Sequence, residues 1–446
     1  EKLNFHSDSV VLSNLIHPRI KLNVISDFDL AMAKSFLNES ELSFTQGSGK
    51  INLAYTGSLE KNFDSSRLLT GTIELTGAGI HYLPRNLLFS PVSGMIRFTG
   101  KDMLVENLAL HSGSSDLNMN GSVKNIFYLF NHVDDKLFLD WNISSNRLNL
   151  EDFTGFLQQK TKPLVTEEKK SSPAISVSEF TGKLTSSDFN VSLKVNKLSY
   201  KKFTGDSLYA TLVMKDNLIQ LNNVIMKQGG GSLTLQGVYT NDTVNNSFSL
   251  ATRMSHIDVS RLFYSFDNFG LESLTDKNIR GSLSADITME GGLTPQAQLV
   301  PDKLISSIKF NLQNGALVNF KPMQQIQEKI LKKRNLSDIR FADLYDSLEV
   351  RGGNITINRM EIRSSVLSMF VNGMYNLKTG PDMSIQVPLS NLKANKDSVL
   401  VNKGIHSHTG ISARLRVRTG ADGKLDVSWD PFNKATKEMN VKTQLQ

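Results

Sequence analysis

The chain contains no cysteine. That excludes disulfide scaffolds, thiolate zinc sites and cysteine nucleophiles. It has only two tryptophans, Trp141 and Trp429, too few for the exposed aromatic platforms of a glycan binder or adhesin. No apolar run approaches the ~18–20 residues that a helix needs to span a bilayer. No G-x-S-x-G, no P-loop and no G-x-G-x-x-G between a strand and a helix is present. Gln228-Gly-Gly-Gly231 sits between two strands, where glycines serve a turn rather than a phosphate. Carboxylates fall in turns and on polar faces and form no convergent acid–base set. The histidines are scattered singly, except His406-Ser-His408, which on a strand share a face but lack a third ligand at a suitable spacing. The 50 Lys+Arg exceed the 43 Asp+Glu by too little, and too diffusely, to argue for nucleic acid. The expectation is a non-enzymatic protein with no cofactor and no metal.

What is present is architecture. At 446 residues the chain exceeds one compact core. Most of it alternates apolar and polar residues, as in Leu208-Tyr-Ala-Thr-Leu-Val-Met214 and Ser232-Leu-Thr-Leu-Gln236. That period of two marks strands with one apolar face. Turn residues interrupt the runs, as at Lys215-Asp-Asn217 and Thr99-Gly-Lys-Asp102, and predict an antiparallel meander. Helical signals are few. The best is Phe320 to Arg334, where Met323, Ile326, Ile330 and Leu331 make one apolar stripe and Lys332, Lys333 and Arg334 a basic end. This helix either lies on a membrane or caps the sheet. Arg414, Arg416 and Arg418 alternate along one strand, a face suited to anionic headgroups or to a solvated edge.

The strongest signal is an internal repeat. Three segments align without gaps: Val105–Val123, Leu221–Tyr239 and Ile357–Tyr375. The apolar face of the first is Ile96, Phe98, Leu108, Leu110, Leu117, Met119 and Val123; of the second, Leu212, Met214, Val224, Met226, Leu233, Leu235 and Tyr239; of the third, Leu348, Val350, Met360, Ile362, Met369, Val371 and Tyr375. Every position is apolar, and the alternate positions are mostly polar. Phe44, Leu53, Tyr55 and Gly57 fall on the same spacing as a fragmentary fourth copy. A second element recurs between the copies, a strand followed by a short helix. Val24–Leu30 matches Arg253–Val259 position for position, and Ile143–Leu150 is a looser relative.

The chain therefore divides into a β repeat region over 1–158 that starts mid-repeat, a linker over 159–178 rich in Pro, Ser and charge, a second β repeat region over 179–278, a terminal repeat over 279–392 with an amphipathic helix over 321–334, and a basic hairpin and tail over 393–446. The fold expected is mainly β: an elongated, twisted antiparallel sheet built from repeats, forming a groove, with a few short helices. The helices are too few to cover its apolar face. Either the sheet curls and packs that face on itself, or the face stays open and takes a non-protein cover, for which lipid is the obvious candidate.

Residues 279–392 carry the order Asn314-Gly-Ala-Leu317, short helix, Phe341–Leu348 strand, Ile355–Ile362 strand, Val371-Asn-Gly-Met-Tyr375 strand. This order resembles the C-terminal region of the AsmA-like family of bacterial envelope proteins, related to the bridge-like lipid transfer proteins. The resemblance implies a periplasmic protein anchored to the inner membrane by a helix upstream of residue 1. It also implies phospholipid as the partner, carried along an apolar β-groove in support of outer-membrane biogenesis and lipid homeostasis. On that view Ile96, Phe98, Leu108, Leu110, Leu117, Met119, Leu212, Met214, Val224, Met226, Leu233, Leu235, Leu348, Val350, Met360, Ile362, Met369 and Val371 face lipid. Two other functions stay open. One is an assembly factor that offers sheet edges to nascent outer-membrane strands. The other is a structural repeat protein with a closed core.

Overall fold

The computed structural model describes residues 5–14, 16–35, 42–58, 67–129, 136–157, 187–215, 218–240, 246–271, 274–294, 298–329, 335–364, 368–388, 411–420 and 425–432. The protein is mainly β, and its sheet does not close into a barrel. The chain forms two compact units. The first comprises Glu1–Tyr200, Gly205–Val224 and Val238–Val244; the second, Lys201–Thr204, Ile225–Gly237 and Asn245–Gln446.

The first unit begins with β1 (Val10–Ser13), β2 (Arg19–Asp29), β3 (Leu42–Ser58), β4 (Leu68–Tyr82), β5 (Leu87–Gly100), β6 (Met103–Ser112), β7 (Ser115–Lys124) and β8 (Phe138–Asn149). Each pairs antiparallel with the next. Among the described residues of the first unit the expected meander is broken after β8. β8 pairs in parallel with β9 (Asp188–Tyr200), Phe138 opposite Asp188 and Leu148 opposite Leu198. A parallel neighbour requires a crossover of a dozen residues or more rather than a hairpin turn. The segment read as a linker lies inside that crossover, and its residues 159–178 lie outside the described ones. β10 (Phe203–Lys215), β11 (Leu218–Gln228) and β12 (Gly231–Thr240) are each divided between the two units.

The second unit continues with β13 (Asn246–Asp258), β14 (Ile279–Leu293), β15 (Leu299–Val318), β16 (Asp338–Arg340), β17 (Leu344–Arg351), β18 (Asn354–Arg363), β19 (Ser368–Asn376), β20 (Gly380–Pro388), β21 (Ser412–Thr419) and β22 (Leu425–Trp429). They pair antiparallel in chain order, with β16 and β17 both added to the 20-residue β15. Two α-helices are described, α1 (Val259–Ser265) and α2 (Lys321–Lys329).

The repeat is a structural one. Its copies are β5–β6–β7, β10–β11–β12 and β17–β18–β19. In the middle strand of each, one residue takes a left-handed backbone: Asn107 (φ 49°), Asn223 (φ 50°) and Arg359 (φ 33°). In the first and third copies the ladder register shifts there, between Val105 and Leu108 and between Ile357 and Met360. Each third strand then carries a glycine without room for a side chain. A Cβ on Gly121, Gly237 or Gly373 would meet the carbonyl oxygen of Asp140, Ser249 or Asp382 at 2.6, 2.8 and 2.5 Å. Closer approach of neighbouring backbones is why a strand keeps a glycine at such a place.

The strand–helix element recurs as well. Asp29 accepts from the Ala31 N–H at 2.8 Å, Asn149 from Glu151 at 3.1 Å, and Asp258 from Ser260 at 2.8 Å. Each opens a short helix, at Leu30–Ser35, Leu150–Leu157 and α1, by satisfying amides that have no helical acceptor. Within each unit the preceding hairpin turn docks on such an element. Asp152 accepts from the Ser114 N–H and from the hydroxyls of Ser114 and Ser115 at 2.7–3.1 Å, against Gly113. Gly229, the equivalent of Gly113 and likewise left-handed, accepts from the Asp258 N–H at 2.9 Å. Gly229 and Gly230 are turn residues, as their spacing predicts, and Gly231 opens β12.

Candidate apolar binding face

Residues directly opposite one another in a ladder share a face, so the registers show what each side presents. In the first unit one row runs Ile51, Ile73, Ile96, Val105 and then Gly121, covered by the Trp141 ring. The next row runs Val24, Leu53, Gly71, Phe98, Met103, Val123, Leu139 and Phe189. Toward the other end of the strands, on the same face, Ala78, Val92, Leu110 and Leu117 form a third. Ile96, Phe98, Leu108, Leu110, Leu117 and Met119 therefore lie on one face. In the second unit Ile287, Ile308, Leu348, Ile357, Gly373, Met383, Val417 and Val427 make a continuous row. Beside it run Met360, Val371, Ile385 and Leu415. Val350, Ile362 and Met369 share that face.

The reverse face carries charge. Arg97 pairs with Glu106 at 3.0 Å and Arg253 with Asp286 at 2.7 Å. The hydrogen bond from Arg97, against desolvation and with the smaller help of its charge, holds the Glu106 carboxyl below its ordinary range. Arg416 grips Asp382 with two bonds of 2.8 Å, and Arg414 and Arg418 stand on the same side of β21. Burial opposes the Asp116 carboxylate, yet the backbone N–H groups of Asn146 and Arg147 and the Asn146 side chain outweigh it and lower the pKa.

Burial along the apolar face is uneven. In the first unit it concentrates at the strand ends. Leu30, Ala78, Val92 and Leu110 form one cluster, beneath the Leu30–Ser35 turn; Val123, Ile126, Leu137 and Leu139 form another, beneath the Ile126–Leu129 turn. Ile51, Ile73 and Ile96 lie between, belong to neither cluster and stay partly exposed. In the second unit Met254, Ile257, Ala285 and Leu262 of α1 pack together, joined by Leu233. A larger cluster, with Leu336, Leu415 and Val427 at 0 % exposure, packs beneath Met323 of α2. Ile308, Leu348 and Ile357 belong to neither and remain partly exposed.

This sorts the residues singled out by the repeat. Ile96, Leu212, Met214, Leu235 and Leu348 are partly exposed. Phe98 packs against the Val123 cluster, and Leu108, Leu117 and Met119 against the Leu30 cluster. Leu110, Val224, Met226, Val350 and Met360 are buried. Met369 is buried in the α2 cluster, and Ile362 and Val371 pack against it; Leu233 packs on α1. Met323, expected as a membrane or capping residue, is 4 % exposed and turned into the core. Ile330, Leu331, Lys332, Lys333 and Arg334 lie outside the described residues, as does the side chain of Ile326. His406 and His408 lie outside them too. Among the described residues no group of His, Asp and Glu could hold a metal ion, and no helix is long and apolar enough to cross a membrane.

Strict alternation overlooks four members of the face: Met103, Val105, Ile355 and Ile357. The left-handed residue in mid-strand reverses the parity, so odd positions face the apolar side before it and even ones after it. The signal is an apolar–polar–polar–apolar step at the same place in every copy: Val105-Glu-Asn-Leu108, Leu221-Asn-Asn-Val224 and Ile357-Asn-Arg-Met360. Polar residues interrupt the rows: Ser26 opposite Ile51, Ser306 between Met289 and Val350, and Asp346. Asp346 sits opposite Phe310 and accepts from the Ser347 N–H at 2.7 Å. Comparison of the chain with protein-family models, with curated proteins and with solved structures returns no match.

Proposed function

We propose that this is a non-enzymatic lipid-handling protein whose partly exposed apolar rows take up the acyl chains of phospholipid. The observation that carries the proposal is the middle of the face. Large aliphatic side chains stand in register across four strands in each unit. Ile51, Ile73, Ile96, Ile308, Leu348 and Ile357 stay partly exposed outside the clusters that short helices and turns cover, although Val105 in the first unit's row is buried. Apolar surface in that arrangement is favourable to bury, at about 25 cal/mol per Å², and an acyl chain has the shape to lie along a row. The arrangement agrees with the resemblance to the AsmA-like family, from which periplasmic location, inner-membrane attachment and a role in outer-membrane lipid homeostasis are carried over as part of the proposal. The lipid-facing set narrows to Ile96, Leu212, Met214, Leu235 and Leu348, with Ile51, Ile73, Ile308 and Ile357 added. Phe98, Leu108, Leu117, Met119, Met360, Met369 and Val371 are assigned to packing.

The test is extraction and mass spectrometry of the purified protein. Phospholipid at a stoichiometric level supports the proposal. Protein that is lipid-free after gentle purification, and that takes up no photo-crosslinkable phospholipid, refutes it.

The alternative of an assembly factor has one observation of its own. β1 presents Val10, Val11 and Leu12 at 51–60 % exposure, an apolar strand at the start of the first unit's ladder suited to β-augmentation. Crosslinking of β1 to an unfolded outer-membrane strand, with no lipid bound, would favour it.

A further inference from the structure

The second unit carries a feature that the apolar face does not use. At the C-terminal end of α1 the aromatic residues Phe263, Tyr264, Phe266 and Phe269 gather with Phe203. Phe266 and Phe269 stack at 5.5 Å, Phe263 meets Phe269 edge-on at 5.2 Å, and Phe203 lies 5.7 Å from Phe266. A packed aromatic cluster would ordinarily be buried. Here Tyr264, Phe266 and Phe269 are 53, 46 and 46 % exposed.

The backbone is bent to display them. Asp267, Asn268 and Phe269 hold φ of 53–54° and Gly270 follows at 72°. Three consecutive non-glycine residues in the left-handed region cost roughly 1–2 kcal/mol each, so the surroundings must over-determine the turn. They do: the Phe269 N–H donates to the Phe266 carbonyl at 2.9 Å, the Leu271 N–H to Asn268 at 2.9 Å, and the Asp276 N–H to the Asn268 side chain at 2.8 Å. Lys202 pairs with Asp267 at 2.6 Å and lies 5.6 Å from the centre of the Tyr264 ring.

Among the described residues around the knob the charge is net basic. Lys201, Lys202, Arg261 and Lys277 are exposed, against Asp267 and Asp276. Lys201 and Lys202 both act on the Asp267 carboxyl and lower its pKa, the hydrogen bond from Lys202 most. Arg261 precedes Tyr264 by three residues on α1 and so shares its side of the helix. Aromatic rings with cations at their rim match the membrane–water interface, where rings sit at headgroup depth and lysines reach anionic lipid.

We propose that the aromatic knob 263–271 docks the protein on the surface of an anionic bilayer, with Tyr264, Phe266 and Phe269 in the interfacial layer and Lys201, Lys202, Arg261 and Lys277 on the headgroups. This is a contact with a membrane surface, separate from any lipid held along the sheet, and it does not require that the sheet carry lipid. It also differs from the amphipathic helix as the point of contact, since the described part of that helix turns Met323 into the core.

The experiment is co-sedimentation of the full chain with phosphatidylcholine vesicles containing roughly 30 mol% phosphatidylglycerol, at low salt. The wild type should bind, and binding should weaken as salt rises from about 0.05 M to about 0.5 M. Phe266→Ser with Phe269→Ser should reduce partitioning at least about tenfold. The melting curve of each variant is recorded alongside; if the double variant melts early, Tyr264→Ser is read in its place. Phe269→Trp gives an independent readout. Its emission should be quenched by brominated lipid beyond the level set by Trp141 and Trp429 in the wild type. Equal binding by the folded variants, absence of wild-type binding, or capture of a protein partner by the knob with no vesicle binding would each overturn the proposal.

Discussion

A carboxylate placed in the middle of the apolar face separates an open surface from a packed core. Ile96→Asp and Ile308→Asp put the charge among partly exposed residues, in the rows Ile51–Ile73–Ile96 and Ile308–Leu348–Ile357. Val417→Asp is the control, at 3 % exposure inside the cluster beneath α2. If the middle rows wet freely, each Ile→Asp variant loses cross-strand apolar contact and strand propensity, about 1–2 kcal/mol together. The carboxylate keeps its water and adds little. An ion buried unpaired in a packed core costs several kcal/mol more, enough to consume much of a domain's ~5–15 kcal/mol. Melting and bound phospholipid are measured on the same samples. The expected result is a small fall in Tm with a large loss of lipid for Ile96→Asp and Ile308→Asp, and collapse of the fold for Val417→Asp. If all three collapse alike, the middle rows are core and the proposed uptake of lipid loses its structural support. Val371 makes a poor probe, because it already packs against the α2 cluster.

The repeated glycine should resist even a methyl group. Gly373→Ala, at φ 147° and with its Cβ 2.5 Å from the Asp382 oxygen, is expected to cost about 1–3 kcal/mol by denaturant titration, and an unchanged midpoint would disprove the close approach. At the left-handed bulge, Asn223→Gly should be tolerated while Asn223→Val costs about 1–3 kcal/mol, and equal melting of the two would remove the bulge as their cause. Asp258 supplies a pH test. Burial raises its pKa, but bonds from the Ser260 hydroxyl, the Arg261 N–H and the Ser260 N–H outweigh that and leave it lowered. A carboxyl lowered by folding contributes stability above its unfolded value, about 3.9, and loses it as pH falls through the folded one. The wild type should therefore lose more stability than Asp258→Asn on acidification below about pH 4, and parallel curves would refute this.

The repeat and its apolar face were legible because side-chain parity is a property of the backbone itself, independent of which neighbour a strand finds. Ile96, Leu117, Leu348 and Met369 all fell on the face that alternation assigned them. Parity is also where the reading failed. Asn107 and Arg359 reverse the parity without changing the residue types around them, so Val105 and Ile357 were left out of the apolar face. The parallel partner of β8 was hidden for a different reason. Pairing direction depends on where the chain returns after 157, and Leu139 and Phe189 would show the same alternation whichever way β9 ran. Nor did composition separate uncovered from packed positions. Leu348 and Met369 are equally apolar, and only the placement of Met323 above the α2 cluster makes one of them core. The knob at 263–271 was missed because its rings are close in sequence and resemble the buried stripe of a short helix until the left-handed turn is seen.

The left-handed residue in each middle strand bears on how such a chain can grow. A copy that carries it at the same internal position every time leaves the strand that follows with its apolar residues on a fixed side. Inserting or deleting a whole copy thus leaves every downstream side chain facing as before, while a gain or loss of one residue inside a strand would turn the remainder of that strand over. The copies are not adjacent: two strands separate the first from the second and four the second from the third, so what recurs is the parity rule inside each copy and not a fixed number of strands.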